Sequence, residues 1–166
     1  MTSIEVLWNG WRANYVGAER VAGTSVFTQI FTSGLPDTDT HIVHRSNTCC
    51  AIMNAYPYAA GHLLVVPYRE VPSLVELTDE EHTELWVTVR DGVRAVEKEY
   101  APAGVNVGIN MGAAAGGSIG EHLHVHVVPR WVGDSNFMTA VAGTRTIPEA
   151  LDQSADRLRR SWPHPS

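Results

Sequence analysis

Apolar residues along the chain follow two different periods. Between residues 41 and 68 they fall in short dense runs, HIVHRS (41–46), CCAIMNA (49–55) and HLLVVPY (62–68). Asn47-Thr48 and the turn-forming YPYAAG separate them, so each run predicts a strand. From Thr78 the period lengthens. Leu85, Val89, Val93 and Val96 recur at helical spacing and predict one buried helix face. Thr78 with Glu81 three residues later is a capping box, in which each side chain satisfies an orphan amide of the first turn. Tyr100-Ala101-Pro102 ends that helix. In VNVGINM (105–111), Val105, Val107 and Ile109 alternate with Asn106, Gly108 and Asn110, the pattern of a half-buried strand. A glycine-rich loop, GAAAGGSIG, then leads into HLHVHVV (122–128). Near the end, IPEALDQSADRLRRSW predicts a C-terminal helix with Pro148 in its first turn. Residues 1–38, aromatic at Trp8, Trp11 and Tyr15 and then rich in Gly, Ser and Thr, predict an arm followed by a loop.

Most connections between these strands are too short for parallel crossovers. The expected architecture is therefore α+β: an antiparallel sheet with a central helix and a C-terminal helix on one face. It divides into an N-terminal arm and loop (1–38), a core (39–137) and a C-terminal extension carrying a helix (138–166).

Composition narrows this picture in a few places. A chain of 166 residues is long enough for one domain with a real core. A formal net charge of −6 argues against coating a nucleic-acid backbone, but leaves room for a small anionic ligand in a locally positive site. The start, MTSIEVLWNGW, has no basic or apolar signal segment, and no window reaches 18 uninterrupted apolar residues. No membrane contact is expected, and the cytoplasm is the expected compartment. Cys49 and Cys50 are the only cysteines. Neighbours on a strand point to opposite faces, so they are expected as reduced thiols.

Three of the 8 histidines lie within five positions, at 122, 124 and 126. On a strand, residues two apart share a face, so His122, His124 and His126 form one row with Leu123, Val125 and Val127 behind. A plain polar row facing solvent is the bland reading, but Thr, Lys or Glu would serve a wet face equally well. A metal site is a second reading. It requires the outer two histidines, about 13 Å apart along a strand, to converge on one ion. Glu121 points to the other face, and no other acid lies close in sequence. Covalent catalysis is the third reading and ranks first. A neutral imidazole is a good nucleophile near pH 7, and His124 alone has a histidine on each side. Gly116, Gly117 and Ser118 just upstream can bring backbone amides and a hydroxyl to an anion. A phosphate beside a nucleophilic imidazole points to phosphoryl or nucleotidyl transfer.

At these residues the chain resembles the histidine triad (HIT) family, whose signature alternates His with apolar residues and closes on two apolar ones. HLHVHVV meets it in full, and MNAYPYAAGHLLVVPYREV (53–71) resembles the family's ribose-binding Asn and Gly-His strand. The resemblance implies an antiparallel sheet with two helices, paired into a homodimer, and the aromatic arm leaves room for a homotetramer. It also implies that His124 takes a nucleoside monophosphate as a phosphoramidate and that His126 contacts the bridging oxygen of the leaving group. His122 and His62 complete the orienting network, and Asn54 holds the ribose. For His62 alone a satisfied core histidine is the plainer reading, and for Asn54 a turn residue at a strand end.

LWNGWRANYV and NMGAAAGGSIGEHLHVHVVPRWVGDSNF (110–137) look most like the family's actinobacterial diadenosine tetraphosphate phosphorylase branch. There phosphate, rather than water, is the acceptor, with Asn110, Gly117, Ser118 and Trp131 at the places that handle phosphate. Packing against the C-terminal tail or a subunit contact is the competing role for Trp131. The chain departs from other members by Ser118 where many have Gln, and by Gly10 where relatives often have Pro. Ser25 and Thr28 of SVFT stand in the places of a Cys-x-x-Cys zinc pair, so neither structural zinc nor another resident cofactor is expected. Mg²⁺ is expected only with a polyphosphate substrate. The rival readings are a HIT hydrolase or phosphoramidase that uses water, and a nucleotide-binding sensor with little turnover.

Overall fold

The structure, a computed structural model, describes residues 5–6, 24–115, 122–134, 144–145 and 149–163. Trp8, Trp11, Tyr15, the Gly116–Ser118 loop and Pro148 lie outside the described residues. In chain order the elements are β1 (Glu5–Val6), α1 (Val26–Thr32), α2 (Asp37–Thr40), β2 (Ile42–Arg45), β3 (Cys49–Met53) and β4 (Leu63–Pro67). There follow α3 (Asp79–Tyr100), β5 (Gly104–Ile109), β6 (Val125–Arg130), β7 (Thr144–Arg145) and α4 (Leu151–Ser161). β2, β3, β4, β6 and β5 form one sheet in that spatial order, and every neighbouring pair is antiparallel. β1 and β7 pair in parallel as a second, two-stranded sheet.

Because side chains alternate along each strand, the sheet offers two apolar faces, and each is covered differently. On one face Ala51, Leu63, Val65, Val125 and Val127 pack with Leu85, Val89 and Val96 of α3 and with Leu151, Ala155 and Leu158 of α4. Trp162, just past α4, closes this core. Full burial of each such leucine or valine contributes about 1.5–3 kcal/mol. The C-terminal segment is thus integral to the main core. On the other face Cys50, Ile52, Leu64 and Val66 pack under Phe27 of α1. Cys49 and Cys50, both free and buried, fall in the two different clusters, as expected of strand neighbours.

Three expectations need correction. Helices cover both faces, because α1 forms inside the segment expected as arm and loop. Ser25 caps it, accepting from the Thr28 amide, and the run Val26, Phe27, Ile30, Phe31 supplies a buried side. Val107 is exposed rather than half-buried, since β5 is the edge of the sheet. α4 starts at Leu151 with Ala150 as its cap, later than a first turn at Pro148 would place it.

The long helix follows its sequence closely. Thr78 and Glu81 form both halves of the capping box, and Arg69 beside Glu81 helps hold that carboxyl down at about 2. Ala101, in a left-handed conformation, ends the helix. Two glycines give opposite expectations. A methyl at Gly92 would meet Leu63 and Trp162 at 3.6 Å, ordinary contact, whereas one at Gly61 (φ 75°) would stand 2.6 Å from the Tyr100 ring. Gly92→Ala should therefore raise stability in urea unfolding by about 0.5–1 kcal/mol, because the helix gains propensity without a clash. Gly61→Ala should lower it by about 2 kcal/mol or more, combining a strained backbone with a steric conflict.

Candidate functional site

His122, His124 and His126 line one face, as their spacing requires, but only His126 lies within β6; the other two precede it in extended chain. The row is not a wet surface. His122 and His124 are 1% and 6% exposed, and His62, which immediately precedes β4, is fully buried. Phe27 of α1 packs on the first two, with ring centroids 5.4 Å from His122 and 5.5 Å from His124.

Burial obliges each ring nitrogen to find a partner, and the partners assign the protons. His122 Nε2–H donates to the Pro67 carbonyl at 2.8 Å, so its Nδ1 accepts from the Ser25 hydroxyl at 2.5 Å. His124 Nδ1–H donates to the His122 carbonyl at 2.9 Å, which leaves the lone pair on Nε2. The Tyr58 amide donates to His62 Nδ1 at 3.0 Å, so the His62 proton sits on Nε2 and is donated to His126 Nδ1, also at 3.0 Å. Neutral His126 must then carry its proton on Nε2. That atom is buried and has no hydrogen-bond partner among the described residues. With ring centroids 5.0 Å apart, His124 and His126 set a lone pair beside an unused N–H. Burial, and next the neighbouring His124, push His126 down to about 4; burial also lowers His122.

The other expected residues fall in three places. Asn54, buried after β3, accepts from the Tyr56 amide at 2.9 Å, and its amide nitrogen stands 3.3 Å from both nitrogens of His62. Asn110 follows β5 and lines a cleft beside His126. Trp131 sits past β6 with its ring edge-on to Tyr100 at 6.4 Å. Gly116, Gly117 and Ser118 lie outside the described residues. Among the described residues no group of three His, Cys, Asp or Glu side chains is arranged to hold a metal ion.

Sequence reasoning missed a support behind the row. Glu70 accepts from the Ser25 amide at 3.1 Å and from the Thr28 hydroxyl at 2.8 Å. These two bonds, in that order, hold its carboxyl below the usual range. With the Thr28 hydroxyl committed to Glu70, the Ser25 hydroxyl proton is free for His122. The signal was present as Ser-x-x-Thr before a helical apolar run, but nothing in it pointed to Glu70.

Residues 36–132 match the HIT domain. The chain belongs to the HIT family. It is 41% identical over 96% of its length to the AP-4-A phosphorylase of Mycobacterium tuberculosis (strain H37Rv), of which it covers 85%. It is 36% identical over 64% of its length to the asymmetrical bis(5'-nucleosyl)-tetraphosphatase of Schizosaccharomyces pombe, covering 57% of that protein. Among solved structures, a Zn-bound histidine triad family protein from Mycobacterium smegmatis superimposes with a TM-score of 0.68 at 26% identity, over 83% of this chain and 92% of that one.

Two outcomes follow from the buried network. Ser25→Ala leaves the His122 Nδ1 acceptor buried and unpaired, so equilibrium unfolding should show a loss of about 1–3 kcal/mol. The histidines also set a pH dependence. The folded His126 stays neutral well below the ordinary 6.5, so between pH 6.5 and about 4 the unfolded chain binds the extra proton. Stability should fall as pH drops through that window, and His122 adds in the same direction. A His126→Gln variant should lose thermal midpoint less steeply from pH 7 to 5; an unchanged slope would place the effect elsewhere.

Proposed function

We propose that this HIT protein is an enzyme that transfers a nucleoside monophosphate from a dinucleoside polyphosphate, through His124, to inorganic phosphate. The observation that carries this reading is the His124 Nδ1–H bond to the His122 carbonyl, which leaves Nε2 as an oriented lone pair beside the spare N–H of His126. The identity to AP-4-A phosphorylase over nearly the whole chain supports the choice of substrate and acceptor.

In the first step His124 Nε2 attacks the α-phosphorus in line. The N–P bond forms, the bridging P–O bond breaks, and its electron pair stays with the departing nucleoside polyphosphate. His126 Nε2–H donates a hydrogen bond to that oxygen. A polyphosphate leaves as a stabilised anion and needs this bond more than a full proton, whereas an amine leaving group must be protonated. A histidine held neutral by burial therefore suits a polyphosphate better than a phosphoramidate. In the second step a phosphate oxygen attacks phosphorus, the P–N bond breaks, and its pair returns to Nε2 with release of a nucleoside diphosphate. In this scheme His122 and His62 orient the row, Asn54 holds the ribose, and Gly116, Gly117, Ser118, Asn110 and Trp131 bind phosphate oxygens. No resident cofactor is required; Mg²⁺ would arrive with the polyphosphate. Water in place of phosphate is the second reading, favoured by the identity to a tetraphosphatase.

The chain is further proposed to act in the cytoplasm as a homodimer. The position of β5 at the sheet edge among the described strands, exposed Val107, and exposed Trp86 and Val87 of α3 support the pairing.

Incubation with diadenosine tetraphosphate, with and without phosphate, tests the scheme. ADP plus ATP formed only with phosphate is the expected result; AMP plus ATP in both cases would shift the acceptor to water. His124→Ala should abolish either reaction. Binding of AMP by the wild-type protein without any cleavage would replace the enzyme by a nucleotide sensor.

A further inference from the structure

The histidine face of the sheet is covered unequally. Over β2, β3 and β4, Phe27 of α1 packs on Ile42, Cys50, Ile52, Leu64 and Val66. Over β6 and β5 the same face forms a cleft of about 300 Å³, a volume at the small end of ligand pockets. Its floor is two facing pairs across the strands, Gly108 with His126 and Asn106 with Val128. Tyr58 flanks it, its ring nearly parallel to that of His126 at 6.0 Å. At the far end Arg130 is fixed by Asp134, with contacts of 2.6 and 2.8 Å, and donates to the Asn106 side-chain carbonyl at 2.8 Å.

His126 stands on the boundary between the two halves. On its β4 side lie His62 and Asn54; on its β5 side lies the cleft. Its Nε2, buried and unpartnered among the described residues, is the donor that the departing oxygen requires. In-line displacement puts the incoming nitrogen and the outgoing oxygen on opposite sides of phosphorus. With the transferred nucleotide on the Asn54 side, the group that leaves past His126 has the cleft in front of it.

We infer that this cleft is the leaving-group subsite, which receives the departing nucleoside polyphosphate beside β5, its phosphates next to His126 and Asn110 and its nucleoside toward Asn106 and Arg130. The inference rests on the nucleotidyl-transfer reading above and adds to it where the second half of the substrate lies. Tyr58 presents an aromatic side to the base. Asn106 and the Arg130–Asp134 pair present donors and acceptors to the sugar and the base edge. Because Asp134 compensates Arg130, the far end of the lining is close to neutral, which suits a nucleoside better than bare phosphate. Gly108 is what keeps the cleft open. A Cβ there meets nothing within 4 Å, and its backbone is not in the left-handed region, so a larger residue would fill the cleft without disturbing the strand.

Gly108→Val tests this with two substrates, diadenosine tetraphosphate and adenosine 5′-phosphofluoridate, whose fluoride leaving group is too small to occupy the cleft. The measured quantity is the ratio of kcat/KM for the first to that for the second. The ratio should fall at least about tenfold in Gly108→Val, and several-fold in Asn106→Ala, with KM for the tetraphosphate carrying most of the change. An unchanged ratio in Gly108→Val with wild-type circular dichroism would overturn the assignment, as would an equal loss on both substrates. A wild-type protein that cleaves neither substrate would instead remove the transfer reading, and this inference with it.

Discussion

A buried imidazole has two nitrogens to satisfy, and a neutral one can donate from only one of them. Three such rings and a half-buried fourth, His126, stand on one face of this sheet, and the rest of the site is arranged around that constraint. The Pro67 carbonyl and the Ser25 hydroxyl settle His122; the His122 carbonyl settles His124. The Tyr58 amide settles His62, and through it His126. The proton positions trace back to main-chain groups and one hydroxyl, so the tautomers of the row are set by a helix cap, a strand end, a turn and the row's own backbone. Gly61 belongs to the same logic. It precedes His62 in a left-handed conformation under the Tyr100 ring, a place no side chain could take without displacing that ring.

The two sides of the sheet divide the labour. α3 and α4 bury one side as far as β6, which gives β4 and β6 a rigid backing. On the other side α1 covers only the half nearer β2, and its first turn reaches the histidine row through Ser25 and Phe27. α1 is thus both a core element and a brace. Glu70 completes it by holding the Ser25 amide and Thr28 hydroxyl from the segment that follows β4. Among the described residues, the half of the face nearer β5 is left as an open cleft.

How much of this was legible in the sequence depends on the range of the interaction. Strict alternation at 122–128 announced a shared face, and the Thr78–Glu81 box announced the start of the long helix, because both are local patterns. α1 escaped because its 7 residues are too few for a clear period and sit among Ser, Thr and Gly, which read as loop. Glu70 escaped for a different reason. Its partners Ser25 and Thr28 are 45 and 42 residues away, and a lone Glu between Arg69 and Val71 carries no sign of them. Val107 misled because alternation tells which residues share a side but not whether a helix covers it, and β5 is at the edge. Trp131, equally open to two roles from the sequence, stands against Tyr100 in the structure.

The same constraint also explains why the outer histidine differs from the middle one. His124 uses its Nδ1–H on a carbonyl, so its free atom is a lone pair. His126 uses its Nδ1 as an acceptor from His62, so its free atom is an N–H. Two identical side chains two residues apart thus present an acceptor and a donor, although both are histidine. The difference comes from what lies under each ring: main-chain carbonyl in one case, a second imidazole in the other. His62 is therefore more than a filler of the core. Replaced by a residue that could only accept, it would make His126 donate through Nδ1 and present a lone pair, instead of an N–H, at Nε2. The order of the row, with the free lone pair at the centre and the free N–H toward β5, is fixed by that buried relay.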